Sequence, residues 1–291
     1  MTSNGVLQRA KGVLFAAKAG HTGSLDPLAT GVLPLCLGEA TKLSQYLLGA
    51  DKEYTTTVVL GVRTDTADAD GRETEVRSAS GISLADIDAV LPRFRGPILQ
   101  VPPMYSALKR GGVPLYELAR RGEEVEREAR EVTIHSLEVL GFEPGERAAL
   151  QLRVRASKGT YVRTLAEDIG GALGCGAHVA QLRRVASGQF VEADAVTLDR
   201  LQQLRDEGDF EALDALLLPP ERAVQHLPAV FVAEAGLFYL CQGQPVMVAT
   251  VPPERGTVRI VDADGGFRGV GEITDDRRVA PRRMMAAQAA R

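Results

Sequence analysis

Two stretches of this chain fit only the pattern of strands in a half-buried sheet. EVTIHSLEVLGF (131–142) and AALQLRVRA (148–156) alternate apolar with polar residues, and a period of two gives one face to a core and the other to water. YTTTVVLGV (54–62) is rich in β-branched residues and predicts a third strand. Apolar residues at helical spacing occupy 6–18, with Ser3 or Asn4 as the expected cap. Further helices are expected near 84–94, 114–121, 163–173, 197–206 and 209–217. GAHVAQLRRVASGQF reads as a turn and another strand, and GPILQVPPMYSALKRGGVP as an irregular Pro/Gly-rich stretch. Strands and helices mix without strict βαβ alternation, which predicts an α+β fold. LLPPERAVQHLP marks a boundary, and the short β segments and Gly/Asp turns of 228–285 predict a small β-rich module beyond it.

A chain of 291 residues suits one large domain with a small one attached. No apolar run reaches bilayer length, and no charged start precedes an apolar segment, so neither membrane nor secretory signal is expected. Cys36, Cys175 and Cys241 are far apart and lack CxxC spacing, as expected of reduced, buried thiols in a cytoplasmic protein. Net charge is −4, which argues against nucleic acid until its distribution is considered. Residues 151–190 carry six cations against two acids, while 192–222 carry nine acids against three arginines. Segregation of this kind can build a basic face on an acidic protein, though composition alone favours ordinary solvated surface charge. With no Trp and 5% aromatic residues, an extended stacking platform for single strands is not expected.

The familiar catalytic constellations fail one by one. The histidines, His21, His135, His178 and His226, form no metal-ligand spacing, and no metal site is expected. TADADGRETEVR mimics a calcium loop, but Thr66 and Arg77 stand where the first ligand and the bidentate acid belong, so a solvated turn is expected. CLGEATK lacks Walker A spacing, GGALGCGA lacks GxGxxG spacing, and GSLDP is no nucleophile elbow. Asp26 remains, alone in GHTGSLDPLATGVLPLCLGEATK. An ordinary Asp-Pro makes a turn, its carboxylate capping nearby backbone. Here Gly20, Gly23 and Gly31 flank the acid and would allow another backbone to approach closely. A carboxylate with a solution pKa of ~3.9 is also a ready nucleophile at neutral pH, given a cation to hold it.

These residues resemble a known family. GHTGSLDPLATGVLPLCLGEATK is similar to the catalytic motif of the TruB pseudouridine synthases, and DKEYTTTVVLGVRTDTADADG to their second motif. PPMYSALKRGGVPLYELARRG resembles their RNA-contacting segment, and SKGTYVRTLAEDIGGALGCGAHVAQLRR their third motif. VRIVDADGGFRGVGEI with VAPRR resembles a small RNA-binding domain of the PUA type. The resemblance implies a mixed, mainly antiparallel catalytic sheet over 1–225 and a PUA-like domain over 226–291. It implies that uridine 55 in the T loop of tRNA becomes pseudouridine, with no cofactor, no guide RNA and a monomeric enzyme.

The same resemblance assigns residues. Asp26 is the acid that acts on the flipped nucleotide, by attack at the ribose, attack at the base or deprotonation of the sugar. Arg163 pairs with it, and a guanidinium can fix a carboxylate through two hydrogen bonds. Tyr54 stacks on the base, Tyr161 and Leu182 line its pocket, and His21 fills the gap left in the RNA. Lys109, Arg110, Arg183 and Arg184 are expected phosphate contacts. Two departures stand out. Members usually begin with a strand and a Lys-Pro loop running into GxTS, whereas this chain starts at MTSN, which predicts a sheet short of one strand. Gln181 stands where a tyrosine is common. The rival expectations are a non-catalytic tRNA-binding or folding protein and a synthase for another RNA.

Overall fold

A computed structural model describes residues 1–252 and 255–286, so the alanine-rich tail at 287–291 lies outside the described residues. Helix α1 (Ser3–Val13) starts one or two residues earlier than expected, because Thr2 rather than Ser3 or Asn4 accepts the Gly5 N–H. It ends before Phe15, whose φ of 49° leaves the helical region. The acid-bearing stretch is not simply a loop. β1 (Ala19–His21) pairs antiparallel with β3 (Leu35–Leu37), and β2 (Thr30–Gly31) lies between them in sequence. A short α2 (Ser44–Leu48) leads into β4 (Lys52–Leu60), which is followed by the hairpin β5 (Val62–Thr64) and β6 (Glu73–Val76).

Helix α3 (Leu84–Val90) has a capping box from Ser83 and Asp86, then tightens to a 3₁₀ turn at Leu91–Phe94, where Pro92 removes an N–H. The stretch expected to be irregular contains β7 (Gly96–Gln100), an edge strand where Pro97 is tolerated, and the small hairpin β8 (Lys109–Arg110) and β9 (Val113–Pro114). After α4 (Leu115–Arg120) come β10 (Arg130–Glu143), β11 (Ala149–Ala156), α5 (Val162–Ala172), β12 (Ala177–Ser187) and β13 (Phe190–Val191). The acidic α6 (Leu198–Glu207) and α7 (Phe210–Ala215) then pack Leu204 and Leu213 against Val13.

The main sheet runs β13-β12-β4-β11-β10-β7, with β2 added to β12. All pairings are antiparallel except β2 on β12. Tyr54 of β4 thus stands between Val154 and Arg184, and Thr56 between Leu152 and Leu182. One face buries Val58, Leu60, Leu150, Leu152 and Val154 against Leu165 and Ile169 of α5. Each such side chain contributes about 1.5–3 kcal/mol when fully buried. The first glycine of the stretch that failed as a phosphate loop has a packing role. A Cβ at Gly170 would come within 2.5 Å of Ala177, so α5 rests directly on the start of β12.

The C-terminal β domain has sheet order β14 (Ala229–Phe231), β15 (Thr257–Val261), β16 (Phe267–Ile273) and β17 (Val279–Met284). It also contains an unexpected helix, α8 (Glu234–Cys241), whose EAGLFYLC sequence has little helical periodicity. Leu237 and Leu240 join Val230, Ile260 and Val279 in its core. A separate apolar seam joins it to the rest of the chain: Cys36, Leu43 and Leu47 pack with Ala223, Val224 and Val270. Lys42 Nζ crosses the same seam to the Met284 carbonyl at 3.0 Å. Cys36 and Cys175 are buried as expected, and burial pushes the Cys36 thiol up to about 11, but Cys241 is exposed at the end of α8. Among the described residues no helix is long and apolar enough to cross a membrane.

Candidate active site

Asp26 opens a tight turn in which the Ala29 N–H donates to the Asp26 carbonyl at 2.9 Å, and Pro27 supplies the fixed φ that the second turn position needs. The carboxylate does not cap that turn. Its Oδ2 accepts from Arg163 Nε at 2.8 Å and its Oδ1 from Nη2 at 2.9 Å, a two-point fork. The Arg163 side chain is 4% exposed and that of Asp26 34%, so the cation is sealed while the acid still meets solvent.

Arg163 is also held from behind. Nη1 donates to the Thr66 carbonyl at 3.0 Å, and Nη2 to the Tyr105 carbonyl at 2.9 Å. Asp68 Oδ2 lies 3.6 Å from Nη1 and is itself buried. Thr66 Oγ1 donates to Asp68 Oδ1 at 2.6 Å and the Asp70 N–H to the same oxygen at 3.2 Å. Asp68 is a site residue that sequence reasoning missed. It sits in the loop expected to be a solvated turn, and its only signal was the superficial likeness to a calcium loop.

Tyr54 and Tyr161 are both half-buried and both feel the Asp26 carboxylate. Burial pushes the Tyr54 phenol up, the neighbouring Arg184 guanidinium opposes that, and the Asp26 carboxylate adds to it. Burial likewise raises Tyr161, whose phenol feels Ser106, Arg130, Asp26 and Arg163. Both phenols thus lie near enough to Asp26 for its charge to act on them. Leu182 is buried on β12 opposite Thr56, within the core that Tyr54 flanks. His21 lies on β1, half-buried, with Nδ1 lacking a hydrogen-bond partner. Leu28 and Thr30 form one wall of a groove of about 510 Å³, whose other wall is Thr55–Thr57 and Gln181–Arg183.

Arg184 corrects an expectation. It is 1% exposed and cannot touch a phosphate. Its Nε donates to the Val32 carbonyl at 2.7 Å and Nη2 to Gly23 at 3.3 Å, tying both flanks of the Asp26 loop to β12. In sequence, an Arg-Arg pair looks like surface charge, and only the approach of β2 buries its second member. Most cations of 151–190 are likewise committed within the protein. Arg163 and Arg184 are buried, and Arg153, Arg155 and Arg183 face Glu53, Asp51 and Glu192 on neighbouring segments. Arg183 also donates to Thr30 Oγ1 at 3.0 Å. Lys109 and Arg110 are exposed on β8, as a phosphate contact requires, and Arg110 donates to the Glu126 carbonyl. Among the described residues no cluster of His, Cys, Asp or Glu could hold a metal ion.

Of the three glycines, Gly20 needs no special conformation, but Gly31 does. Its φ is 98°, and a Cβ there would fall 2.1 Å from the Arg184 carbonyl. Gly31→Ala is therefore expected to cost at least about 3 kcal/mol, read as a lowered melting temperature. Melting within a degree of the parent would reject this packing.

Comparison with known proteins bears directly on this geometry. Residues 11–162, which carry Asp26 and Tyr54, match the family model "TruB family pseudouridylate synthase (N terminal domain)". The chain belongs to the TruB family. Residues 163–225 match the "tRNA pseudouridylate synthase B C-terminal domain", and 228–285 "Pseudouridine synthase II TruB, C-terminal". A tRNA pseudouridine synthase B of Ectopseudomonas mendocina (strain ymp) is 57% identical over 284 residues, covering 98% of this chain and 91% of the relative. That of Stutzerimonas stutzeri (strain A1501) is 55% identical over 287 residues, covering 99% and 92%. Among solved structures, an H/ACA RNP bound to a substrate RNA containing 2'-deoxyuridine aligns with a TM-score of 0.74 at 27% identity. A Cbf5-Nop10-Gar1 complex aligns with the same TM-score at 28% identity. Each covers 99% of this chain and 82% of the other. The TruB chain thus has the expected α+β fold with a PUA-like C-terminal β domain.

Proposed function

We propose that this chain converts uridine 55 in the T loop of tRNA to pseudouridine, with Asp26 as the reacting carboxylate. The observation that carries the reading is the fork between a solvent-reaching Asp26 and a sealed Arg163. Relatives sharing more than half of the sequence are named tRNA pseudouridine synthase B. The reaction breaks the N1–C1′ bond and forms C5–C1′. The C5 proton leaves and N1 gains one, so no atom or electron need come from a cofactor.

Arg163 has an assignment for nearly every donor within the protein, so it holds Asp26 instead of binding substrate. Asp26 then meets the nucleotide with an orientation set in advance, the arrangement that lowers the entropy of reaction. Attack on the ribose, attack on the base and removal of a sugar proton all suit such a carboxylate. Tyr54 offers a face for the flipped base, which offsets an unstacking cost of a few kcal/mol. Tyr161 and Leu182 line the pocket, and His21 stands where the base has left. Lys109, Arg110 and Arg183 hold phosphates, which position RNA without reading its sequence. The catalytic domain is 1–225 and the RNA-binding domain 226–291; the enzyme works in the cytoplasm as a monomer without guide RNA.

An unmodified T-arm hairpin incubated with the chain alone is expected to be converted with multiple turnovers, read as release of label from C5. A hairpin that binds but is never converted would reject this reading in favour of a non-catalytic tRNA-binding protein.

A further inference from the structure

We propose that Gln100, at the end of the edge strand β7, is the positioning residue that sets where α5 begins and so aims Arg163 at Asp26. The inference rests on the reading that Arg163 and Tyr161 serve the isomerisation. Helix α5 has no side-chain cap: its N-cap residue is Tyr161, which has no oxygen suited to bond the first turn. A helix without a cap can start a residue early or late with little penalty. Arg163 is the second residue of α5, so the path by which the backbone enters the helix at Tyr161 decides where its guanidinium is carried.

Gln100 removes that freedom. Its Nε2 donates to the Tyr161 carbonyl at 3.3 Å, and its Oε1 accepts the Tyr161 N–H at 3.0 Å. The side-chain amide thus pairs with a backbone peptide as a neighbouring strand would. The Tyr161 carbonyl is also the first acceptor inside α5, taking the Leu165 N–H at 3.0 Å. Gln100 is 2% exposed, so a lost bond there would not be replaced by bulk water. Five residues along, across Pro102 and Pro103, the Tyr105 carbonyl takes Arg163 Nη2 at 2.9 Å. The segment from Gln100 to Tyr105 therefore grips the helix start at two points. One grip fixes the backbone of Tyr161, and the other fixes the side chain of Arg163.

The test uses two variants on the hairpin substrate, with melting curves as a check on folding. Gln100→Leu keeps the volume and loses both bonds. Its kcat is expected to fall about tenfold while KM changes less than about twofold, because the clamp acts on orientation more than on RNA contact. Gln100→Glu separates this role from simple packing. A protonated carboxyl keeps one donor and one acceptor and can replace the amide. An ionised one still accepts the Tyr161 N–H but turns a lone pair toward the Tyr161 carbonyl.

Burial lifts the introduced carboxyl above the ordinary ~4.3. Of the charged groups that act on the neighbouring Tyr161 phenol, Arg130 and Arg163 oppose that rise and Asp26 adds to it. Relative to the parent, activity of Gln100→Glu is expected to approach one at acid pH and to fall as pH rises through that raised pKa. A ratio that stays flat between about pH 5 and 8, or a Gln100→Leu kcat within twofold of the parent, would overturn the inference. If neither variant folds, hydrogen exchange of the parent decides: the Tyr161 amide must be strongly protected, and exchange at the rate of an open amide refutes the clamp. An inactive parent protein would instead reject the isomerase reading, which keeps the two failures apart.

Discussion

Asp26→Asn is expected to lower pseudouridine formation by at least about 10³-fold while hairpin affinity stays within about threefold. The substitution keeps the shape and removes both the charge and the nucleophilicity. The amide oxygen can still accept one N–H from the Arg163 fork, but the amide nitrogen would face the other donor. Both Asp26 oxygens are now used, at 2.8 and 2.9 Å, so the loss falls on orientation as well as on chemistry. Binding survives because the proposed phosphate contacts lie elsewhere, on Lys109, Arg110 and Arg183. Stability should drop by only about 1–2 kcal/mol, since Asp26 is partly solvated. Release of label from C5 measures the chemistry, and filter binding measures the affinity. Full turnover by this variant would remove Asp26 from the reaction.

Arg163→Lys should be nearly as damaging, for a different reason. A lysine is usually a mild replacement at a surface, but Arg163 is buried and engages four acceptor atoms on three segments. An ammonium presents its donors from a single atom and cannot span both oxygens of Asp26 while reaching the Thr66 and Tyr105 carbonyls. We expect kcat to fall about 10²-fold, with KM changing much less. Loss of the buried contacts should cost about 2–4 kcal/mol, so the assay belongs well below the lowered melting temperature. Kinetics equal to the parent would show that the fork does not prepare Asp26 for reaction.

Much of this site was legible before any coordinates, by two routes. Alternation alone located β10 and β11, because each has one face in the core and one in water. Elimination alone isolated Asp26. Its partner Arg163 came from the family likeness, since nothing local in YVRT distinguishes a sealed guanidinium from a surface one. The misses have physical causes. β7 was hidden by its Gly and Pro, which an edge strand tolerates. α8 was hidden because its exposed face is nearly as apolar as its buried one. Asp68, Arg184 and Gln100 were invisible or misread because their roles depend on partners far along the chain: Arg163 is 95 residues from Asp68, Val32 is 152 from Arg184, and Tyr161 is 61 from Gln100. No short window of sequence encloses such pairs.

The seam beneath the C-terminal domain has a consequence for motion between the domains. Val224 and Val270 are wholly excluded from water there, and Lys42 stitches one side to the other. A swivel at that point would bring this apolar surface into water, so hinge motion between the two halves carries a cost set by the area uncovered.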